Sequence, residues 1–463
     1  MAWIGGAVLG WYVGLSVLST LTVALIWWRI PTARPWTPAT SAPPARPLGV
    51  IAFAAAAGVC AFALSALINP TVSYDGFAIW TVHPAWYLAG HDVTVSALHN
   101  AALVFSHPQY PPLVGGVIAL SWRVSGVHTV RLGIVMESCL TGFAVVAAST
   151  ATMELARRLV PTGSALEDRR GRALTLGAGA VVSVHLAFVP FAAAGRFTTD
   201  GHPDLLWAIA AVGAVAYGLV LPWEPAHLGA AVLLVAVAGG TKTEGTLIGA
   251  AIVVLIAARG VLVARSTGPP QRWRQPCAYA CGTLVVIGAW PILVHFLHAL
   301  PNVETLGARI GTDQSRLQAT LRTAAPHLEI VAVAVPVAYF GAVFLDTRRR
   351  ASGIGNDLWA WTVLVVALGV IFAAYVTGPG SVNVWLANSV QRTTLFPALT
   401  AWWVMGTWAV VVAGAIPRRP GAASGPDGSK RMPVANYDDD VDTELARSDP
   451  RLARLLRGSD AAP

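Results

Sequence analysis

The chain has 463 residues, of which 55% are hydrophobic and 12% charged, with a mean hydropathy of +0.60 and a formal net charge of +8. A soluble domain carries about a quarter charged residues, so this composition excludes a long soluble domain and defines an all-α polytopic membrane protein. The positive balance does not point to nucleic acid: the basic residues fall between apolar runs, as in cytoplasmic loops, and no base-stacking motif or separate basic helix accompanies them.

Apolar runs fall at about 5–28, 48–68, 130–154, 173–194, 204–222, 226–240, 246–264, 277–297, 328–346, 358–377 and 392–416, with a shorter one at 112–122. A run of roughly 20 apolar residues crosses ~30 Å of hydrocarbon. The first run lacks a basic leader and is too long for a signal-peptide core, so it reads as a retained span. If 112–122 dips in and returns, or stays at the surface, most arginines gather on one side: Arg29, Arg34 and Arg46; Arg157, Arg158, Arg169, Arg170 and Arg172; Arg265, Arg272 and Arg274; Arg348 to Arg350; and Arg418-Arg419. Arg123 and Arg131 count against this arrangement. The positive-inside rule still favours it, predicting about eleven spans (range 10–13) with the C-terminus in the cytoplasm. Cys60, Cys139, Cys277 and Cys281 lie in or beside apolar runs, without zinc-site spacing or a disulfide framework, and read as packing residues.

The long segment 69–111 follows the second span. Tyr74-Asp75-Gly76 places a carboxylate just beyond the membrane, where it could take a proton from a hydroxyl or cap a helix beginning at Gly76. Phe77, Trp80, Trp86 and Tyr87 suit an aromatic face at headgroup level, and Pro84 predicts two short helical pieces. His107-Pro108-Gln109-Tyr110-Pro111-Pro112-Leu113 is stiffened by its prolines and presents His107 and Tyr110 where the chain re-enters the membrane.

Three further clusters follow. Arg196 to Asp204 carries Asp200, able to hold an acceptor, a metal or Arg196, and Asp204, which either belongs to a site or caps the next helix. Lys242 and Glu244 in Thr241-Lys242-Thr243-Glu244-Gly245 interrupt apolar sequence. Such ionisable residues are functional by default, or else form a self-satisfied pair. Ser389-Val390-Gln391-Arg392 opens the last run, and Arg392 is either an interfacial arginine or a planar fork for phosphate. Residues 417–463 are rich in Pro, Gly, Ser and Asp and read as a disordered cytoplasmic tail. There is no internal repeat and no matched pair of broken helices, which counts against a secondary transporter.

Taken in order, these stretches resemble the GT-C superfamily of integral-membrane glycosyltransferases, in particular its polyprenyl-phosphate-sugar-dependent bacterial branch. The likeness runs through about residues 48–400. It comprises an early loop acid (Asp75), an aromatic amphipathic stretch (Phe77 to Leu88) and a His-Pro-x-Tyr-Pro-x-Leu-like turn (His107 to Leu113). A Lys-x-Glu-Gly turn (Lys242 to Gly245) and a Ser-x-x-Arg helix start (Ser389 to Arg392) complete it. His83 departs from the Lys of many relatives, and 195–204 only loosely follows the second acidic patch.

The resemblance implies a membrane-embedded catalytic domain over 1–416, with extracytoplasmic loops at 69–111 and 298–327. It implies a polyprenyl-phosphate-linked sugar donor and a glycan, lipid or protein acceptor in the cell envelope, with inversion and the plasma membrane as the location. Asp75 would be the base and Asp200 or Asp204 the second acidic site, with His107, Tyr110, Lys242, Glu244 and Arg392 around the donor phosphate. No cofactor is implied, and a divalent cation stays open. The alternatives are a lipid-linked-sugar flippase, which needs ionisable residues along a mid-membrane path, and a non-catalytic envelope-assembly protein.

Overall fold

Long apolar runs have no polar side chains to compete with backbone hydrogen bonds, and in a bilayer the helix satisfies those bonds internally. In the computed structural model the described residues are 72–159, 177–179, 181–182, 201–267, 274–299, 314–351, 358–377 and 381–415. They form thirteen α-helices and no strand, all within the compact unit 1–416. The runs 5–28 and 48–68, most of 173–194, Asp200 and the tail 417–463 lie outside the described residues.

The helices are α1 (Val82–Ala89), α2 (His91–His99), α3 (Leu113–Ser125), α4 (Val130–Leu159), α5 (Asp204–Val215), α6 (Pro225–Thr241) and α7 (Thr243–Thr267). They continue as α8 (Arg274–Phe296), α9 (Gln314–Ala324), α10 (Glu329–Ala351), α11 (Leu358–Thr377), α12 (Val382–Thr393) and α13 (Leu395–Ala415). Among the described residues six helical stretches are long and apolar enough to cross a bilayer, as in a multi-pass membrane protein: Val130–Leu159, Thr243–Leu262, Cys277–Phe296, Gln314–Gly341, Leu358–Val376 and Ser389–Ala413. Three are shorter. The α3 helix has 13 residues and α6 has 17, roughly 20 and 25 Å at 1.5 Å per residue.

The α5 helix is the centre of the bundle. Its sequence is apolar all round after Asp204, which suits burial on every face, and each of its residues is buried. Ala208, Ala210, Ala211, Gly213 and Ala214 keep its surface low, so that α4, α6, α7 and α13 pack closely on it; small residues serve this purpose between membrane helices. A π-helical turn, Ala216–Val220, ends it. There the buried Arg259 of α7 donates to the carbonyls of Gly218 and Leu221 at 2.9 and 3.0 Å, its guanidinium 5.4 Å from the Trp223 ring. A cation on orphan C-terminal carbonyls satisfies them and opposes the helix dipole. Just beyond, Arg158 of α4 bridges Glu154 and Glu224, both at 2.6 Å. Asp204 is at the opposite end of the same helix.

Around Asp204 the segment before α4 forms a surface layer. A π-helical turn, Gly76–Thr81, runs into α1. Pro84 is the third residue of α1 and follows directly on the π-helical turn, so the chain stays helical through it. The two helical pieces expected from Pro84 are instead α1 and α2, divided at Gly90 with φ 110°. Three of the four predicted interfacial rings face inward: Trp80, Trp86 and Tyr87 are buried, and Phe77 alone of the four is exposed. His83 is buried with them, its Nε2–H donating to the Ser106 carbonyl at 2.8 Å. Burial pushes its imidazole down to about 4, so it is neutral at pH 7.

Candidate functional site

The corner before Gly76 decides what Asp75 does. Ser73 Oγ accepts the Gly76 N–H at 2.8 Å, so the cap is a serine two residues earlier. Asp75 has helical φ and ψ and makes no side-chain capping bond. Its carboxylate turns to the bundle, where Oδ2 accepts Arg392 Nη1 at 2.6 Å and His202 Nε2 at 3.2 Å. No described residue hydrogen-bonds Oδ1, and the side chain keeps 30% exposure. The His202 hydrogen bond, reinforced by Arg392 against the cost of burial, holds the carboxyl well below the usual carboxylate range.

Asp204 does not cap either. It is the first residue of α5, with no side-chain capping bond there. Oδ1 accepts Lys242 Nζ at 2.7 Å, and Oδ2 lies 3.7 Å from Arg392 Nη1. Lys242 also reaches Glu244 Oε1 at 3.3 Å. The local Lys–Glu pair read from the sequence therefore exists, but the closer partner is an acid 38 positions earlier. The charges alternate along one chain of contacts: Asp75, Arg392, Asp204, Lys242, Glu244. Each neutralises its neighbours, which is how ionised side chains are tolerated when Lys242 and Asp204 are 8% and 4% exposed. Arg392 Nε and Glu244 Oε2 are buried without a partner among the described residues.

Lys242 is carried by a reversal between α6 and α7. The Thr246 hydroxyl donates to the Gly239 carbonyl at 2.8 Å, and Gly245 packs so tightly that a Cβ there would overlap the Ala238 carbonyl. Gly245→Ala is expected to open the reversal, lower thermal stability in detergent by about 1–3 kcal/mol as overpacking does, and weaken any activity that needs Lys242. A wild-type melting curve would refute this.

The Pro-rich turn closes one side. Tyr110 N–H bonds the His107 carbonyl at 2.9 Å, and Trp290 of α8 donates to the Gln109 carbonyl at 2.8 Å. The turn places the Tyr110 ring 6.0 Å from Lys242 Nζ and stacks it on Trp80 at 5.6 Å. His107 stacks on Tyr110 at 4.7 Å, so it joins the site through that ring.

Arg392 is set differently from its sequence reading. It lies in the last turn of a separate short helix, α12, and the chain turns at Thr394 before α13 begins. Pro397 sits in the first turn of α13, a position that tolerates it. Tyr375 of α11 holds α12 by sharing hydrogen bonds with Ser389 Oγ at 2.7 Å and Thr393 Oγ1 at 2.9 Å. Arg316 of α9 in turn donates to the Tyr375 carbonyl at 2.9 Å.

Asp75, Asp204, Lys242, Glu244 and Arg392 thus converge, Tyr110 and His107 flank them, and Asp200 lies outside the described residues. Sequence reasoning passed over His202 and Tyr375. The signal for His202 was its place between Gly201 and Pro203 beside two acids; Tyr375 offered only a hydroxyl inside an apolar run. Among the described residues no three His, Cys, Asp or Glu side chains group closely enough to hold a metal ion. Compared with family models, curated proteins and solved structures, the chain gives no significant match.

Proposed function

We propose that the protein is a membrane glycosyltransferase of GT-C type, moving a sugar from a polyprenyl-phosphate donor to an acceptor hydroxyl on a glycan, glycolipid or protein. The observation that carries this reading is the pairing at Asp75: one carboxylate oxygen accepts from Arg392 and His202, while the other takes no hydrogen bond from a described residue. A base and an anion-binding group side by side are what transfer with loss of a phosphate requires. Asp75 takes the acceptor proton, and the acceptor oxygen bonds the anomeric carbon from the face opposite the phosphate. The carbon–oxygen bond to phosphate breaks with its electron pair, inverting the anomeric centre.

Arg392 meets the phosphate by exchanging a carboxylate for it, since its Nη1 is shared between Asp75 and Asp204. Lys242 adds charge from behind, with Tyr110, His107 and Glu244 bounding the same space. Asp200 is assigned to the acceptor by resemblance. The cluster lies at the end of α5 opposite Arg157 and Arg158, and basic residues favour the cytoplasm. This supports an extracytoplasmic site in the plasma membrane.

The test reconstitutes the protein in vesicles with farnesyl phosphates carrying mannose, glucose or arabinose and a panel of octyl glycoside acceptors. Formation of an elongated glycoside with release of farnesyl phosphate is expected. Movement of intact donor across the bilayer, with no sugar transferred, would replace this reading with the flippase.

A further inference from the structure

We infer that His202 is the positioning residue that keeps Asp75 in place while Arg392 engages the donor phosphate, an inference that rests on the transfer reading above. Among the described residues two groups hold Asp75, and both bond the same oxygen, Oδ2. They are not equally fixed. Arg392 has a second carboxylate, Asp204, 3.7 Å from Nη1, and a buried Nε with no described partner. A guanidinium so divided can rotate toward a phosphate, which forms bidentate contacts with it.

His202 is held by the backbone. It follows Gly201, whose φ of +89° is left-handed and where an added Cβ would lie 3.1 Å from Gly76 Cα. The two glycines thus let the 201–203 turn rest directly against the corner that carries Asp75. Pro203 follows immediately, and His202 itself is 4% exposed. A carboxylate only accepts hydrogen bonds, so Nε2 bears the proton and donates it. When Arg392 moves to the phosphate, this bond remains and Oδ1 still faces the acceptor. Among the described residues the charged groups around the pair are Arg392 of α12, Asp204 of α5 and, behind Asp204, Lys242 from the α6–α7 reversal.

Infrared titration of the detergent-solubilised full chain tests this, reading Asp75 as the carboxylic-acid C=O band that disappears in Asp75→Asn. Arg392→Gln stands in for the withdrawn arginine; where that variant does not fold, saturating farnesyl phosphate withdraws Arg392 in the wild-type background. Adding His202→Phe, which keeps ring volume and removes the donor, is expected to raise the pH at which Asp75 protonates by about one unit or more. His202→Gln, with an N–H donor at similar reach, is expected to restore it. In the vesicle assay His202→Phe should lower kcat by ~10- to 100-fold, the scale of a misplaced group, with KM for the donor within about threefold. His202→Gln should recover most of kcat.

Identical Asp75 titrations with and without His202→Phe would overturn the inference. So would a His202→Phe defect confined to KM for the donor. Absence of any transfer by the wild-type protein would instead overturn the proposed function, while the titration would still decide whether His202 holds Asp75.

Discussion

In the proposed sugar transfer, Asp75→Asn is expected to lower the rate by about 10²- to 10⁴-fold, the usual contribution of a positioned base, with KM for the donor nearly unchanged. The substitution is close to isosteric, and its amide oxygen can still accept from Arg392 and His202, so the corner at Ser73 to Gly76 should keep its shape. What it loses is the capacity to take a proton at Oδ1. The pH dependence follows from the same contacts. With His202 and Arg392 holding its carboxyl below the ordinary range, Asp75 is ionised throughout pH 5 to 8, and the acid limb of the wild-type profile should fall below that window. The sign for stability is the same. The ionised, paired Asp75 stabilises the fold fully above the unfolded carboxylate value of about 3.9, and that contribution is lost only as pH falls through the depressed folded value.

A carboxylate held so strongly ionised is a weak base. In the proposed mechanism, transfer of Arg392 to the phosphate would remove one of its two partners and raise its proton affinity, so the base would strengthen once donor is bound. Undiminished transfer by Asp75→Asn would remove Asp75 from the chemistry.

Lys242→Met should be the most destabilising of the single substitutions considered, at about 3–5 kcal/mol, because it leaves Asp204 as a buried charge short of its closest partner. Asp204 is buried, and Arg392 at 3.7 Å is too distant to replace a 2.7 Å bond without moving. Any such movement draws Arg392 from Asp75, so activity and stability should fall together. The double variant Lys242→Met with Asp204→Leu removes both charges and is expected to regain most of the thermal stability, as apolar replacement of buried pairs often does. It should remain without transfer activity. Melting curves of the two variants in detergent decide the matter: a double variant no more stable than Lys242→Met would mean that the pair does not account for the loss.

Much of the architecture was legible because it is local. Apolar run length alone locates membrane helices, and the runs at 130–154, 246–264, 277–297 and 358–377 each appear as one long helix. The brevity of 112–122 was legible for the same reason, and it forms a helix of 13 residues. The acids and cations that cluster were also conspicuous, since ionisable residues stand out in apolar sequence. Residue preference left one reading open and misled another. Ser and Asp are both favoured caps, and only the reach of Ser73 Oγ to the Gly76 N–H frees Asp75. The aromatic stretch suited an interface by composition, yet the π-helical turn at Gly76–Thr81 carries Trp80 into the core.

Composition and run length are enough to make the protein helical and membrane-spanning, and to pick out the few side chains that carry charge where charge is costly. Who pairs with whom is a matter of long-range packing. Asp75 meets Arg392 across 317 positions and His202 across 127. Lys242 prefers Asp204 to the Glu244 beside it. Hydrophobic periodicity acts over a few turns, whereas these contacts depend on how α5, α7 and α12 pack around one buried helix end. That packing follows from the small-residue surface of α5, the Gly76–Gly201 contact and the tight reversal at Gly245, none of which has a partner visible along the chain.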